Sequence, residues 1–227
     1  MQDVILAAGL GTRMRPLTNT VAKSLVKIAG RPLLEYTFDA LPDEVDEVII
    51  VIGYLGEQIR AYLGDMFRGR CIKYVVQNKL EGTAKALWEA KPFLKGRFVV
   101  LMADDIYGKE DIEKCLQHEQ SMLVYRQKRE SPGGEVVLNK KGELAEVLEK
   151  NSIPIGALVA TNVYVLTPAF FQYEPVKKHP DSPEYGLPQT VVEMSQDHPV
   201  FVVEATRWLK ITTPEDLILA EKSLNLG

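Results

Sequence analysis

Cysteine is nearly absent from these 227 residues: only Cys71 and Cys115 occur. They stand far apart with no metal-type spacing, so neither a disulfide framework nor a zinc site is expected, and they read as reduced thiols of a cytosolic protein. Histidine is equally scarce. His118, His179 and His198 read as surface residues, the last two preceding proline in loop-like sequence. No apolar run is long enough to span a membrane, and the chain opens on a strand rather than a leader, so no membrane partner and a cytoplasmic location are expected. Positive charge is not in excess either: 27 Lys and Arg against 31 Asp and Glu leave a net charge of −4. No global field favours nucleic acid, and none is expected as a partner; any anion must be held by local clusters. Internal repeats, low-complexity tracts and the hexapeptide pattern of a β-helix are missing as well.

What is present is a core. Hydrophobic residues make up 46% and charged residues 26%, enough for one large α/β unit. Short Val- and Ile-rich runs at Asp3–Ala8, Glu47–Ile52, Cys71–Val76 and Arg97–Met102 alternate with helical patterns at Leu33–Leu41, Glu57–Leu63 and Thr83–Phe93. That alternation predicts βαβ units around a parallel sheet, its strands continuously apolar because helices cover both faces. A helix over Lys109–Gln120 and a strand over Met122–Arg126 follow. Then the rhythm changes. Ser131–Gly134 reads as a turn, Val136–Asn139 with Glu143–Leu148 as a hairpin, Ala157–Leu166 as a strand, and Lys177–Pro188, with three prolines, as a loop or lid. Val200–Glu204 reads as a strand and Pro214–Leu224 as a helix capped by Thr213.

Three segments carry chemistry. The first strand breaks at Gly9 into GLGTRMRPLT, Gly9 to Thr18, with Lys23 close behind. Glycine lets backbone N–H groups approach an anion. The sequence is not a Walker A loop, and Met14 stands where a dinucleotide fingerprint needs its third glycine. A plain tight turn is the alternative, but Thr12, Arg13, Arg15 and Lys23 in so short a space favour a triphosphate site. The second segment, Gln77–Leu87, follows a strand and opens a helix. Gly82 and Thr83 fall at the helix N-terminus, where free N–H groups favour polar ligands, and Gln77 has an amide suited to a base edge. A helix merely capped by Thr83 is an equal alternative. The third, Leu101–Asp105, ends an apolar strand on two carboxylates, where open α/β sheets bind ligands. Asp104 fits magnesium, which takes one or two carboxylates plus phosphate oxygens; a turn or helix cap is the alternative.

LAAGLGTRMRPLT, Lys23, GRPLLEY, Gln77, EGTAKAL and ADDIY together resemble the sugar-phosphate nucleotidyltransferase family, the nucleotide-sugar pyrophosphorylases, along nearly the whole chain. The resemblance implies a Rossmann-like, mixed but mainly parallel sheet flanked by helices, with a small β-rich sugar-binding extension. It implies one domain over 1–227, with residues 1–126 binding nucleotide and 127–227 binding sugar phosphate. The implied reaction joins a nucleoside triphosphate to a sugar 1-phosphate and releases pyrophosphate. Leu6, Ala7, Gly9 and Gly11 would hold base, ribose and phosphates through backbone. Arg13 would stabilise the α-phosphorus and the leaving pyrophosphate, Lys23 would touch the phosphates, Gln77 and Gly82 would read the base, and Asp104 would carry Mg2+. Gly134, Glu149 and Lys150 would meet the sugar and its phosphate, and the strand around Asn162 takes the place of the sugar-site strand.

One departure matters. Hexose-specific members carry a second metal-ligand Asp where this chain has Lys210, in W-L-K-I-T-T-P-E-D. Ala103 also replaces a usual Gly and Ser24 a usual Pro. A non-catalytic nucleotide-sugar-binding or regulatory homologue is one reading. The preferred one is an active enzyme in which Lys210 faces the substrate phosphate, because the segment is similar to that of the methylerythritol-phosphate and ribitol-phosphate cytidylyltransferases. The acceptor is then a sugar or polyol phosphate. The nucleotide (UTP, dTTP or CTP) stays open, as does the oligomeric state, for which a homo-oligomer is one option.

Overall fold

The computed structural model describes residues 1–225. One ten-stranded sheet runs through both halves of the chain. Its strands are β1 (Gln2–Ala7), β2 (Glu47–Ile52), β3 (Met66–Phe67), β4 (Arg70–Val76), β5 (Phe98–Met102), β6 (Ser121–Arg126), β7 (Ser131–Leu138), β8 (Leu144–Ile153), β9 (Leu158–Leu166) and β10 (Phe201–Glu204). The main path runs β8-β7-β9-β5-β1-β2-β4-β3, with β6 joining β9 to β10. β5, β1, β2 and β4 are parallel, as the βαβ alternation requires. β9 then enters antiparallel beside β5 and carries the second half, including the β7–β8 hairpin. The fold is therefore the mixed, mainly parallel Rossmann-like sheet that the resemblance implies.

Strand alternation builds two cores. Ile5, Val48 and Ile50 point to one face, under helices α1 (Leu33–Asp39), α2 (Gly56–Leu63) and α4 (Lys109–Cys115). Val4, Leu6, Ile49 and Val51 point to the other, under α3 (Thr83–Ala90) and α5 (Leu187–Ser195). A third cluster, with Met14, Leu33 and Ile211, seats α6 (Pro214–Asn225) and the short ribbon Trp208–Leu209 against Ile106–Tyr107. Thr213 does cap α6: its Oγ1 accepts from the Asp216 N–H, and the Asp216 carboxylate accepts from the Thr212 and Thr213 N–H groups.

Four sequence expectations need correction. Ser131–Gly134 is not a turn but the first half of β7; Gly134 is there because a Cβ would lie 2.7 Å from Val147 Cγ1 on β8. The Lys109 helix stops at Cys115, where the chain turns so that the Ser121 Oγ donates to the Cys115 carbonyl, 2.9 Å. The Lys177–Pro188 loop ends early, because Leu187 and Pro188 already form the first turn of α5, which had no counterpart in the sequence reading. Thr83 does not cap α3: Gly82 holds the cap position, and the Thr83 hydroxyl is used elsewhere.

Candidate active site

β1, β5 and α3 converge on one cavity of about 950 Å³ at the carboxyl ends of the parallel strands. Leu6, Gly9, Gly11, Thr12, Arg13, Gln77, Gly82 and Thr83 line it from the first half of the chain. Gly134, Glu149, Lys150, Asn162 and Lys210 line it from the second. Of the residues singled out in the sequence as candidates for the site, Ala7, Arg15, Lys23 and Asp104 lie outside its wall.

The glycine loop is built for close approach. Gly11 sits in the left-handed region at φ 62°, and the Thr18 hydroxyl donates to its carbonyl at 2.7 Å, folding the loop back on itself. A Cβ on Gly11 would lie 3.1 Å from Lys23 Cβ, whereas one on Gly9 would meet nothing within 4 Å. Met14 is fully buried and anchors the turn, leaving Arg13 exposed on the cavity and without an ion pair among the described residues.

The two aspartates after β5 do different work. Asp105 is buried and spent: Trp208 Nε1 donates to one oxygen at 3.0 Å and the Ile211 N–H to the other at 2.9 Å. Burial and the neighbouring Asp104 charge push its pKa up to about 7, against the pull of Lys23. It therefore pins the Trp208–Ile211 segment to the sheet, a role for which its sequence neighbours gave no signal. Asp104 pairs instead with the Lys23 ammonium, both side chains mostly buried. Among the described residues no group of three acidic, His or Cys side chains is placed to hold a metal ion. One carboxylate not spent on backbone or indole is the donor set that suits magnesium completed by triphosphate oxygens and water, so Asp104 fits.

Gln77 is buried, and its Nε2 donates to the Gly82 carbonyl at 3.1 Å, which leaves Oε1 as an acceptor. Gly82 has φ 101°, and its bare Cα receives the backbone of Tyr185: a Cβ would stand 2.4 Å from the Tyr185 carbonyl oxygen. The Thr83 Oγ1 accepts from the Leu187 N–H at 3.0 Å. Two residues read as nucleotide contacts thus also clamp the 177–187 segment onto the start of α3.

On the other wall, a bulge in β9 between Ala160 and Val163 puts Asn162 at φ 61° and into the cavity lining, a conformation asparagine tolerates. Lys150 pairs with Glu135. Lys210 is half-buried, not a solvated strand-end lysine: its Nζ donates to the Pro132 carbonyl at 2.8 Å. Burial, with Arg13 nearby, lowers its pKa, while Asp105, Asp216 and Glu149 oppose the shift. The sequence reading missed Lys178, Tyr185, Gly186 and Gln189, which also line the cavity, and set aside His179, which stands exposed in it. All but Gln189, which follows it in α5, lie in the proline-rich segment, which carries no motif.

Among the described residues no helix is long and apolar enough to cross a membrane. The sequence profile of the nucleotidyl transferase family matches residues 2–225. The UTP–glucose-1-phosphate uridylyltransferase AglF of Haloferax volcanii is 31% identical over 99% of this chain and 96% of its own length. The bifunctional protein GlmU of Methanocaldococcus jannaschii is 28% identical over 99% of this chain, which spans about half (54%) of that relative. Among solved structures, the inositol-1-phosphate CTP transferase of T. maritima superposes with a TM-score of 0.76 at 20% identity, covering 98% of this chain and 94% of that one. A Bacillus anthracis protein assigned as a glucose-1-phosphate thymidylyltransferase gives 0.83 at 22%, with the same coverage. A profile match over almost every residue and a relative aligned from end to end agree with the glycine loop and the sheet that carries it: the chain belongs to the nucleotidyl transferase family.

Proposed function

We propose that this chain transfers a nucleotidyl group from a nucleoside triphosphate to a sugar 1-phosphate or related polyol phosphate, releasing pyrophosphate. The observation that carries the reading is the single cavity shared by the Gly9–Arg13 loop and by Glu149, Asn162 and Lys210. A phosphate oxygen of the acceptor attacks the α-phosphorus, a new P–O–P bond forms, the bond to the bridging oxygen breaks, and its electrons leave with pyrophosphate. The acceptor oxygen is already ionised at neutral pH, so no side chain needs to remove a proton. The work left for the protein is in-line positioning and cations against accumulating charge.

Backbone of Leu6, Ala7, Gly9 and Gly11, with Thr12 and Thr83, holds the nucleotide in this account, and Gln77 and Gly82 read its base. Arg13 faces the α-phosphorus and pyrophosphate. Lys23 leaves Asp104 for the phosphates. Asp104 with the triphosphate would hold Mg2+, which supplies positive charge to the reacting phosphates. Gly134, Glu149, Lys150 and Asn162 hold the acceptor, and Lys210 faces its phosphate, a cation where hexose-specific relatives place an Asp. We read the enzyme as cytoplasmic, in keeping with its two free thiols. Incubation with UTP, dTTP, CTP, ATP or GTP, magnesium and a panel of sugar and polyol phosphates should release pyrophosphate for at least one pair. Silence across the panel, with tight binding of a nucleotide sugar, would leave the non-catalytic reading motivated by Lys210.

A further inference from the structure

Gln189 is the third residue of α5 and lines the cavity. Its Nε2 donates to Glu149 Oε1 at 3.2 Å, joining the helix to the β8 wall. Its Oε1 is buried without a partner among the described residues, and it lies against the bare Cα of Gly186: a Cβ there would fall 1.7 Å from that oxygen. Gly186 has an ordinary φ of −89°, so conformational freedom does not explain the glycine; room for the Gln189 amide does. Flipping the amide would set Oε1 against the Glu149 carboxylate, which fixes its orientation. A primary amide has two N–H donors, and only one is spent. The cavity wall therefore presents a carboxylate acceptor and a spare N–H donor side by side, the pattern that two neighbouring hydroxyls of a ring would satisfy.

Building on the proposed reaction, we infer that Gln189 is a positioning residue that aims Glu149 at the acceptor, and that the pair selects acceptors carrying adjacent hydroxyls. Gly186 serves the same purpose by leaving the amide its place. Gln189→Ala removes the donor; Gly186→Ala leaves Gln189 intact but displaces its amide, because the only close atoms are the end of that side chain, with Lys178 Cα 3.5 Å away. Neither substitution touches the glycine loop.

The test uses the full chain with the best nucleotide and sugar 1-phosphate of the panel. Each variant should raise the KM for the sugar phosphate about tenfold, the loss of one hydrogen bond to a charged group. The KM for the nucleotide and the melting temperature should stay at wild-type values. One monodeoxy analogue of the sugar phosphate should suffer a similar loss with wild type and little further loss with Gln189→Ala. An unchanged sugar KM, or equal rises in both KM values, overturns the inference. If no pair turns over, the proposed reaction fails on its own, and calorimetric titration of glucose 1-phosphate into wild type and Gln189→Ala decides this point: weaker binding to the variant sustains it, equal or no binding overturns it.

Discussion

Gly9 and Gly82 both line the cavity, yet their surroundings demand opposite consequences from the same substitution. At Gly82, φ 101° and ψ 178° lie in a region open essentially to glycine alone, and alanine there costs about 1–3 kcal/mol in strain. The added Cβ would also stand 2.4 Å from the Tyr185 carbonyl oxygen and 2.7 Å from its nitrogen, backbone atoms that no rotamer can move. The Tyr185 segment must retreat, and with it the Tyr185 N–H to Glu81 carbonyl bond of 2.7 Å and the Ala84 N–H to Tyr185 carbonyl bond of 3.1 Å. At about 1 kcal/mol per hydrogen bond, Gly82→Ala should lose roughly 3–5 kcal/mol in all. In a chain of this size that lowers Tm by roughly 10 °C. Gly9→Ala meets open space at an unstrained position and should melt within about 0.5 kcal/mol of wild type. In the proposed reaction its methyl group instead stands where phosphates approach, and losing one backbone hydrogen bond to a charged group should cut turnover by about ten- to a hundredfold. Urea melts and pyrophosphate release on the same preparations separate the two. A Gly82→Ala protein as stable as wild type, or a Gly9→Ala protein that melts early with normal turnover, refutes the assignment.

Other consequences are as direct. Lys23→Gln frees Asp104, so Mn2+ measured by EPR without nucleotide should bind more tightly than to wild type; unchanged or weaker binding means that the ammonium does not compete for that carboxylate. Asp3 is wholly buried in β1 with both oxygens unpartnered among the described residues, and burial raises its pKa well above the ordinary value. Stability tied to it is full below the unfolded pKa and is lost as pH rises through the folded one. Asp3→Asn should therefore flatten that fall and stabilise the protein at pH 7 by about 1–3 kcal/mol, read from melts between pH 4 and pH 8; no difference at pH 7 contradicts it. Burial pushes the Cys115 thiol up to about 12, while Cys71 is exposed. The native protein should then give one fast thiol with Ellman's reagent at pH 8, and Cys71→Ser none.

Much of the frame was legible because it is local. Continuous apolar strands with helical runs between them encode a doubly covered sheet, and GLGTRMRPLT encodes its own loop. What failed was set by partners distant in sequence. Ser131–Gly134 carries turn residues, but Gly134 answers to Val147 across the hairpin. Gly82 looks like a ligand glycine, and its first neighbour is Tyr185, 103 positions on. Lys23 and Asp104, each picked out singly, meet across 81 residues. Asp104 was picked out for the metal, but the structural role of Asp105 had no sequence signal, because Trp208 and Ile211, which occupy its oxygens, lie more than a hundred residues on. Gln189 had no signal at all, because its meaning lies in Glu149 and Gly186.

The central claim is that the acceptor's own phosphate oxygen attacks the α-phosphorus. A sugar 1-phosphate labelled with 18O in its non-bridging oxygens, incubated with the matching triphosphate and magnesium and followed by mass spectrometry, tests it directly. All label should appear in the nucleotide sugar and none in pyrophosphate, and Arg13→Ala should suppress both products without changing Tm. Label in pyrophosphate, nucleoside monophosphate formed without acceptor, or full turnover by Arg13→Ala would contradict the account.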